Sequence, residues 1–214
     1  MRPSGVTASG AGRGAWVGSG RMGVNFNDHY HPLLLKQVPD GARTALDVGC
    51  GAGRFARLLA GRGLDVEGMD ADADVIAAAR EAGGGPRYRQ VDVRDAHLPD
   101  GHYDFISCVA SLHHMRFETV LTLRRALAPG GVLAVVGLYP VGTVTDFVWA
   151  LPARVILRAD RLLSRRRAAP AVRIPMVWPP PLSYDRTRAE SARLLPGSTV
   201  RRLLLWRYLL VYRA

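Results

Sequence analysis

Lysine is nearly missing from this 214-residue chain: Lys36 is the only one, so almost all of its 29 basic side chains are arginines, in keeping with codon usage in a GC-rich genome. Cysteine is scarce as well. Two residues, Cys50 and Cys108, are too few for a disulfide framework, and both fall at expected strand ends, which suits a reducing cytoplasm. No apolar run approaches the ~18 residues of a membrane span, and the Gly/Ser-rich N-terminus has no apolar core of a secretory signal. Acidic residues thin out late in the chain. Residues 1–139 carry 15 basic and 14 acidic side chains, whereas residues 140–214 carry 14 arginines against Asp146, Asp160, Asp185 and Glu190, so the net charge of +11 splits into +1 and +10. A solvated basic surface is the plain reading of that excess; acidic substrates, anionic lipid or nucleic acid are the alternatives.

What the chain does have is concentrated in Leu46-Asp47-Val48-Gly49-Cys50-Gly51-Ala52-Gly53-Arg54-Phe55. The apolar run Ala45–Val48 reads as a strand; Phe55, Leu58 and Leu59 fall on one face of a following helix; three glycines at alternate positions make the turn between them. Glycine there permits a left-handed backbone and close approach of a ligand, and the first N–H groups of the helix face whatever lies above the strand. A nucleotide-like guest fits. The dinucleotide fingerprint needs Gly or Ala where Arg54 stands, and the Lys-Ser/Thr pair of a phosphate-binding loop is absent. Asp47-Val48-Gly49-Cys50-Gly51-Ala52-Gly53 instead resembles motif I, E/D-x-G-x-G-x-G, of the class I S-adenosylmethionine (SAM) dependent methyltransferases.

Further segments resemble that family in order. Leu64–Asp70 reads as a second strand ending in an acid, 17 positions beyond Gly53, where a carboxylate can accept both ribose hydroxyls. Asp72 fits a helix cap. After Gly83-Gly84-Gly85-Pro86, a short strand over 87–91 leads to Asp92-Val93-Arg94-Asp95, similar to the family's D-x-x-D-L-P region with one extra residue before Leu98-Pro99. The resemblance implies that Asp92 accepts the adenine amino group and the Val93 N–H meets a ring nitrogen; the extra residue leaves Asp95 as a rival, with Asp92 preferred as nearer the strand end. Tyr103-Asp104 opens a fourth strand, with Asp104 structural, and the resemblance puts the Cys108 carbonyl near the SAM amino group. Ser111-Leu112-His113-His114-Met115 is similar to the L-H-H loop of small-molecule members. Neither the N/D/S-P-P-aromatic tetrapeptide of amino-directed DNA methyltransferases nor the Pro-Cys of cytosine-C5 enzymes follows this strand. A helix over 117–128, Pro129-Gly130-Gly131 and the apolar strand 132–138 complete five β-α units.

The ends of the chain are less regular. Residues 1–23 read as a disordered tail, and Asn27–Leu35 as a capped start to a short apolar helix. In the family such a segment lies across the cofactor, which makes Tyr30 and His31 candidates for lining the site; packing and capping are their plainer roles. Residues 140–183 read as a lid and substrate-contact insertion in which Trp149, Met176 and Trp178 form an apolar wall or simply bury the lid, and a basic amphipathic helix on a membrane is a third reading. A helix over 187–195 and a terminal antiparallel pair, 200–205 and 206–212, finish the sheet.

These readings imply an α/β fold with a Rossmann-like, doubly wound seven-stranded sheet, last strand antiparallel, and a small helical lid, in one methyltransferase domain over 24–214. The resemblance implies a cytoplasmic SAM-dependent methyltransferase acting on O, N or C of a small molecule. Its cofactor set is Asp47, Gly49, Cys50, Gly51, Gly53, Asp70, Asp92, Val93 and Cys108. His114 is the candidate base, since imidazole titrates near neutrality; no metal is expected, because His-x-His and His-His pairs come without a carboxylate set. A nucleic-acid methyltransferase using the arginine-rich third, a SAM-binding enzyme that does not methylate, and a regulatory SAM-binding protein are the rivals. Neither nucleic acid nor a membrane surface is a favoured partner.

Overall fold

The apolar run before the glycines forms strand β1 (Thr44–Val48), and every residue of it after Thr44 is buried. The computed structural model describes residues 27–140 and 180–214. The expected tail 1–23, the wall residues Trp149, Met176 and Trp178, and nearly all of the expected lid lie outside the described residues. Helix α1 (His31–Leu35) follows a 3-10 turn at Asp28–Tyr30; helix α2 (Arg54–Ala60) follows β1, and strand β2 (Asp65–Asp70), helix α3 (Ala73–Glu81) and strand β3 (Arg87–Gln90) come next. Strand β4 (Tyr103–Val109) leads through a 3-10 turn, Leu112–His114, to helix α4 (Thr119–Ala126) and strand β5 (Leu127–Leu138). Helix α5 (Tyr184–Leu194) and strands β6 (Thr199–Leu203) and β7 (Arg207–Arg213) end the chain.

The seven strands make one sheet in the order β3-β2-β1-β4-β5-β7-β6. The first five run parallel, and β7 inserts antiparallel to both β5 and β6, the expected mixed sheet. Side chains alternate between its faces, as a period of two requires. Leu46, Val48, Ile106, Leu133 and Val135 pack with α4 and α5 on one side. Ala45, Val66, Phe105, Val132 and Ala134 pack with α1, α2 and α3 on the other. Covering on both sides explains why β1, β4 and β5 are apolar without alternation.

Three local differences from the sequence reading have physical causes. Helix α5 starts three residues early, because the Ser183 hydroxyl accepts the Arg186 N–H and caps it there. Asn27 makes no side-chain cap; its Oδ1 accepts two bonds from Arg207 instead. Helix α4 stops at Ala126, short of the expected 128, because Leu127 is already extended and opens β5; Pro129-Gly130-Gly131 lies within that strand, where the register against β4 slips and the Gly130 N–H and Gly131 carbonyl bond the backbone of Ala214. Asp72 caps α3 through the N–H groups of Asp74 and Val75, and Asp104 accepts from the Arg43 and Thr44 backbones, the structural roles expected of them.

Candidate cofactor and acceptor site

Gly49, Gly51 and Gly53 all take left-handed conformations, with φ of +68°, +51° and +71°, so the turn after β1 exists only because its alternate residues lack a Cβ. What surrounds each glycine differs. A Cβ on Gly49 would overlap Ser111, and one on Gly53 would overlap the Tyr88 ring, whose hydroxyl donates to the Gly53 carbonyl at 3.3 Å. A Cβ on Gly51 would meet nothing, so the turn opens upward at this residue. The turn is tied to β2 by the Gly49 and Cys50 amides, both donating to the Met69 carbonyl, and by the Gly51 amide donating to Asp70 Oδ2 at 2.9 Å. Asp70 Oδ1 accepts the Asp72 amide at 3.0 Å. Each carboxylate oxygen accepts one backbone N–H, and a carboxylate has about four acceptor positions in all; the remainder can take the two hydroxyls of a ribose.

Asp47 lies beneath the turn, 1% exposed. Its Oδ1 accepts the Ser107 hydroxyl at 2.7 Å, while its buried Oδ2 has no hydrogen-bond partner. Burial pushes this carboxyl up to about 7, against the Ser107 hydroxyl and the Ala56 N–H, which lower it. A cationic ligand group would relieve the buried oxygen. Cys50 and Cys108 are free thiols raised by burial, so neither is a thiolate nucleophile. Cys108 is fully buried in β4 between Val48 and Val135.

At the end of β3, Asp92 and Val93 stand next to each other, Val93 buried and Asp92 partly so. The Asp92 carboxylate is engaged by Arg94 through its amide, Nε and Nη2, and this guanidinium holds it below the usual carboxylate range. Asp95 is exposed, its amide bonded to the Asp92 carbonyl, so of the two acids Asp92 is the one at the strand end.

The residues nominated for chemistry sit in different surroundings. Tyr30 is buried, and its hydroxyl donates to the Leu204 carbonyl at 2.7 Å. His31 is 7% exposed, with its ring 5.0 Å from that of Phe55 and Nε2 3.7 Å from Asp28 Oδ1. Burial lowers its pKa, with Asp28 opposing. Asp28 in turn pairs with Arg54 at the start of α2, which fixes the N-terminal segment over the glycine turn. His113 and His114 stack with ring centroids 4.0 Å apart. His114 is the exposed one, lowered by burial with Asp70 acting against it. His113 is more enclosed: its Nδ1 has no accessible surface and no partner, and burial, His114 and Arg207 together push it down to about 4. It is a neutral imidazole at pH 7.

His113 and Arg207 were not singled out by the sequence. His113 differs from His114 only in which way a short 3-10 turn points it. Arg207 opens a largely apolar strand, and its side-chain partner Asn27 lies 180 positions away. Ser111 is a third: its hydroxyl donates to the Val48 carbonyl at 2.6 Å and packs where Gly49 would carry a Cβ. Ala110 beside it is left-handed at φ +53°, a conformation costly for alanine that marks this β4 corner as strained. Among the described residues, no group of three His, Cys, Asp or Glu side chains could hold a metal ion.

A cavity of about 530 Å³ opens beside these histidines, lined by His113, His114, Phe117, Leu138, Leu182 and Tyr208 among others. That volume is in the range of small-molecule sites.

Comparison with known proteins bears on the same residues. A family model described as a methyltransferase domain matches residues 46–135, from the middle of β1 to the middle of β5. An uncharacterized methyltransferase of Mycobacterium tuberculosis is 36% identical over 195 residues, covering 89% of this chain and 96% of that protein. A ubiquinone biosynthesis O-methyltransferase of Sodalis glossinidius is 33% identical over 115 residues, 48% of this chain and 46% of that protein. The crystal structure of a SAM-dependent methyltransferase from Mesorhizobium loti shares the fold, with TM-score 0.59 at 21% identity over 88% of this chain and 100% of that one. The near-full-length relative and the glycine turn closed against Asp70 lead to one conclusion: this chain belongs to the class I SAM-dependent methyltransferases.

Proposed function

We propose that this methyltransferase acts on a small molecule held in the cavity beside His113 and His114. The cavity carries this reading: it is concave, of small-molecule volume, and reaches Leu138 and Tyr208 at the edge of the sheet where β5 ends and β7 begins. When bound, SAM supplies a methyl group on an electrophilic sulfonium centre. The chain's part is then to bind and to orient. Gly49, Cys50, Gly51 and Gly53 form the floor, Asp70 takes the ribose, Asp92 and Val93 meet the adenine, and Asp47 with the Cys108 carbonyl faces the amino group. Holding the acceptor in line with the methyl supplies much of the acceleration in such a displacement. Where the acceptor must lose a proton, His114, the more exposed imidazole of the pair, is the candidate base; burial lowers it and Asp70 opposes the shift. Tyr30 positions the β6–β7 turn through its hydroxyl, and His31 packs under the N-terminal segment.

The arginine-rich C-terminal third favours this reading over nucleic-acid methylation. Several of its described arginines have partners within the chain: Arg193 pairs with Glu190, Arg202 lies over the rings of Tyr139 and Tyr184, and Arg213 bonds Gln37. No described helix is long and apolar enough to cross a membrane.

The test is transfer from methyl-labelled SAM in a total extract of the native host, fractionated afterwards. Label in the low-molecular-mass fraction is expected; label confined to nucleic acid, lipid or protein overturns the reading.

A further inference from the structure

Arg207 is the first residue of β7 and pairs with Leu138, the last residue of β5, so it stands at the edge of the sheet where the parallel strands end. Its guanidinium is placed with some rigidity. Nε and Nη2 donate to Asn27 Oδ1, and Nη1 donates to the Leu205 carbonyl at 2.9 Å. The connection before it is a glycine-free turn with Leu205 and Trp206 both left-handed, at φ +59° and +56°, a conformation that is costly for residues with a Cβ. Tyr30 clamps that turn through the Leu204 carbonyl and lies under the guanidinium, ring centroid 5.8 Å away.

The charge is what these contacts leave unanswered. Three bonds occupy three of five N–H donors, and among the described residues no carboxylate pairs with Arg207. The groups facing it are an amide oxygen, a backbone carbonyl, the Tyr30 ring and the neutral His113. Burial lowers its pKa, the sign of a cation short of a counter-charge. Beside it, His113 Nδ1 is likewise enclosed without a partner. Arg207 pairs with Leu138 and precedes Tyr208, both of which line the cavity, and a fork with two free donors matches a carboxylate or a phosphate, which can accept both.

Strand order decides whose anion this is. β7 is three strands from β1, about 14 Å at the usual spacing. The cofactor's sugar binds on the other side of β1, at Asp70 of β2, so a molecule at Arg207 lies on the acceptor side. We infer that Arg207, with His113 beside it, binds an anionic group, carboxylate or phosphate, of the acceptor. This rests on the small-molecule reading above and narrows it: the enzyme selects acids.

The experiment uses a low-molecular-mass extract of the native host, separated on an anion-exchange resin at neutral pH into retained anions and unretained neutral and cationic molecules. Each fraction is incubated with the full-length protein and methyl-labelled SAM. Label is expected from the anionic fraction, falling at least tenfold in Arg207→Met and less in Arg207→Lys, with S-adenosylhomocysteine (SAH) affinity by calorimetry unchanged in both. Transfer from the unretained fraction alone overturns the inference but leaves the function standing, whereas no transfer from either fraction by a wild-type protein that binds SAH overturns the small-molecule reading itself. Full transfer in Arg207→Met overturns the inference, and so does a tenfold loss of SAH affinity, which would assign the anion to the cofactor's carboxylate. Should Arg207→Met not fold, the wild-type comparison of the two fractions together with Arg207→Lys decides.

Discussion

The Gly51 amide donates to the Asp70 carboxylate at 2.9 Å, so the glycine turn after β1 and the acid at the end of β2 form one hydrogen-bonded unit. Asp70 therefore shapes the turn, and in the proposed function it also meets the ribose. Asp70→Ala is expected to weaken SAH binding by about 1.5–3 kcal/mol, the scale of charge-assisted hydrogen bonds. Calorimetry on the folded variant checks it; unchanged affinity would remove Asp70 from the cofactor site.

Gly49→Ala tests the turn from the other side. The substitution forces a left-handed alanine, costing about 1–2 kcal/mol, and drives its Cβ into Ser111. Urea unfolding is expected to show a loss of at least that size. Gly51→Ala carries the same backbone cost without the overlap and is expected to lose less stability.

Asp47 makes stability depend on pH in an unusual direction. Its carboxyl sits at about 7 in the fold, against about 3.9 unfolded, so the folded state binds the proton more tightly. Its contribution is full below about pH 4 and is lost as pH rises towards 7. The stability difference between wild type and Asp47→Asn, measured by urea unfolding, is expected to move against wild type across that window; a flat difference would contradict it.

Tyr30→Phe deletes the bond to the Leu204 carbonyl and leaves that oxygen without this donor. A loss of about 1 kcal/mol is expected, read as a lower midpoint in urea, and an unchanged midpoint would mean the clamp contributes nothing.

The glycine turn and the acid that closes it were legible in the sequence because they are local. Glycines that need left-handed backbone, an acid at a strand end and a Pro-Gly-Gly break each declare a conformation within a few residues, and the order of β-α units fixed the sheet. The acceptor half depends on distant meetings. Tyr30 reaches Leu204, Asn27 reaches Arg207, and neither pairing leaves a trace in spacing. The choice between His113 and His114 turns on the pitch of a single 3-10 turn, where adjacent residues point in different directions. Likewise Asn27 had the residue type of a cap and serves Arg207 instead.

The most direct test of the account is a crystal structure with SAH bound. The ribose hydroxyls are expected on the Asp70 carboxylate, the adenine beside Asp92 and Val93, and the sulfur facing the cleft lined by His113 and His114. A ribose held by groups other than Asp70, or a sulfur turned away from that cleft, would contradict it.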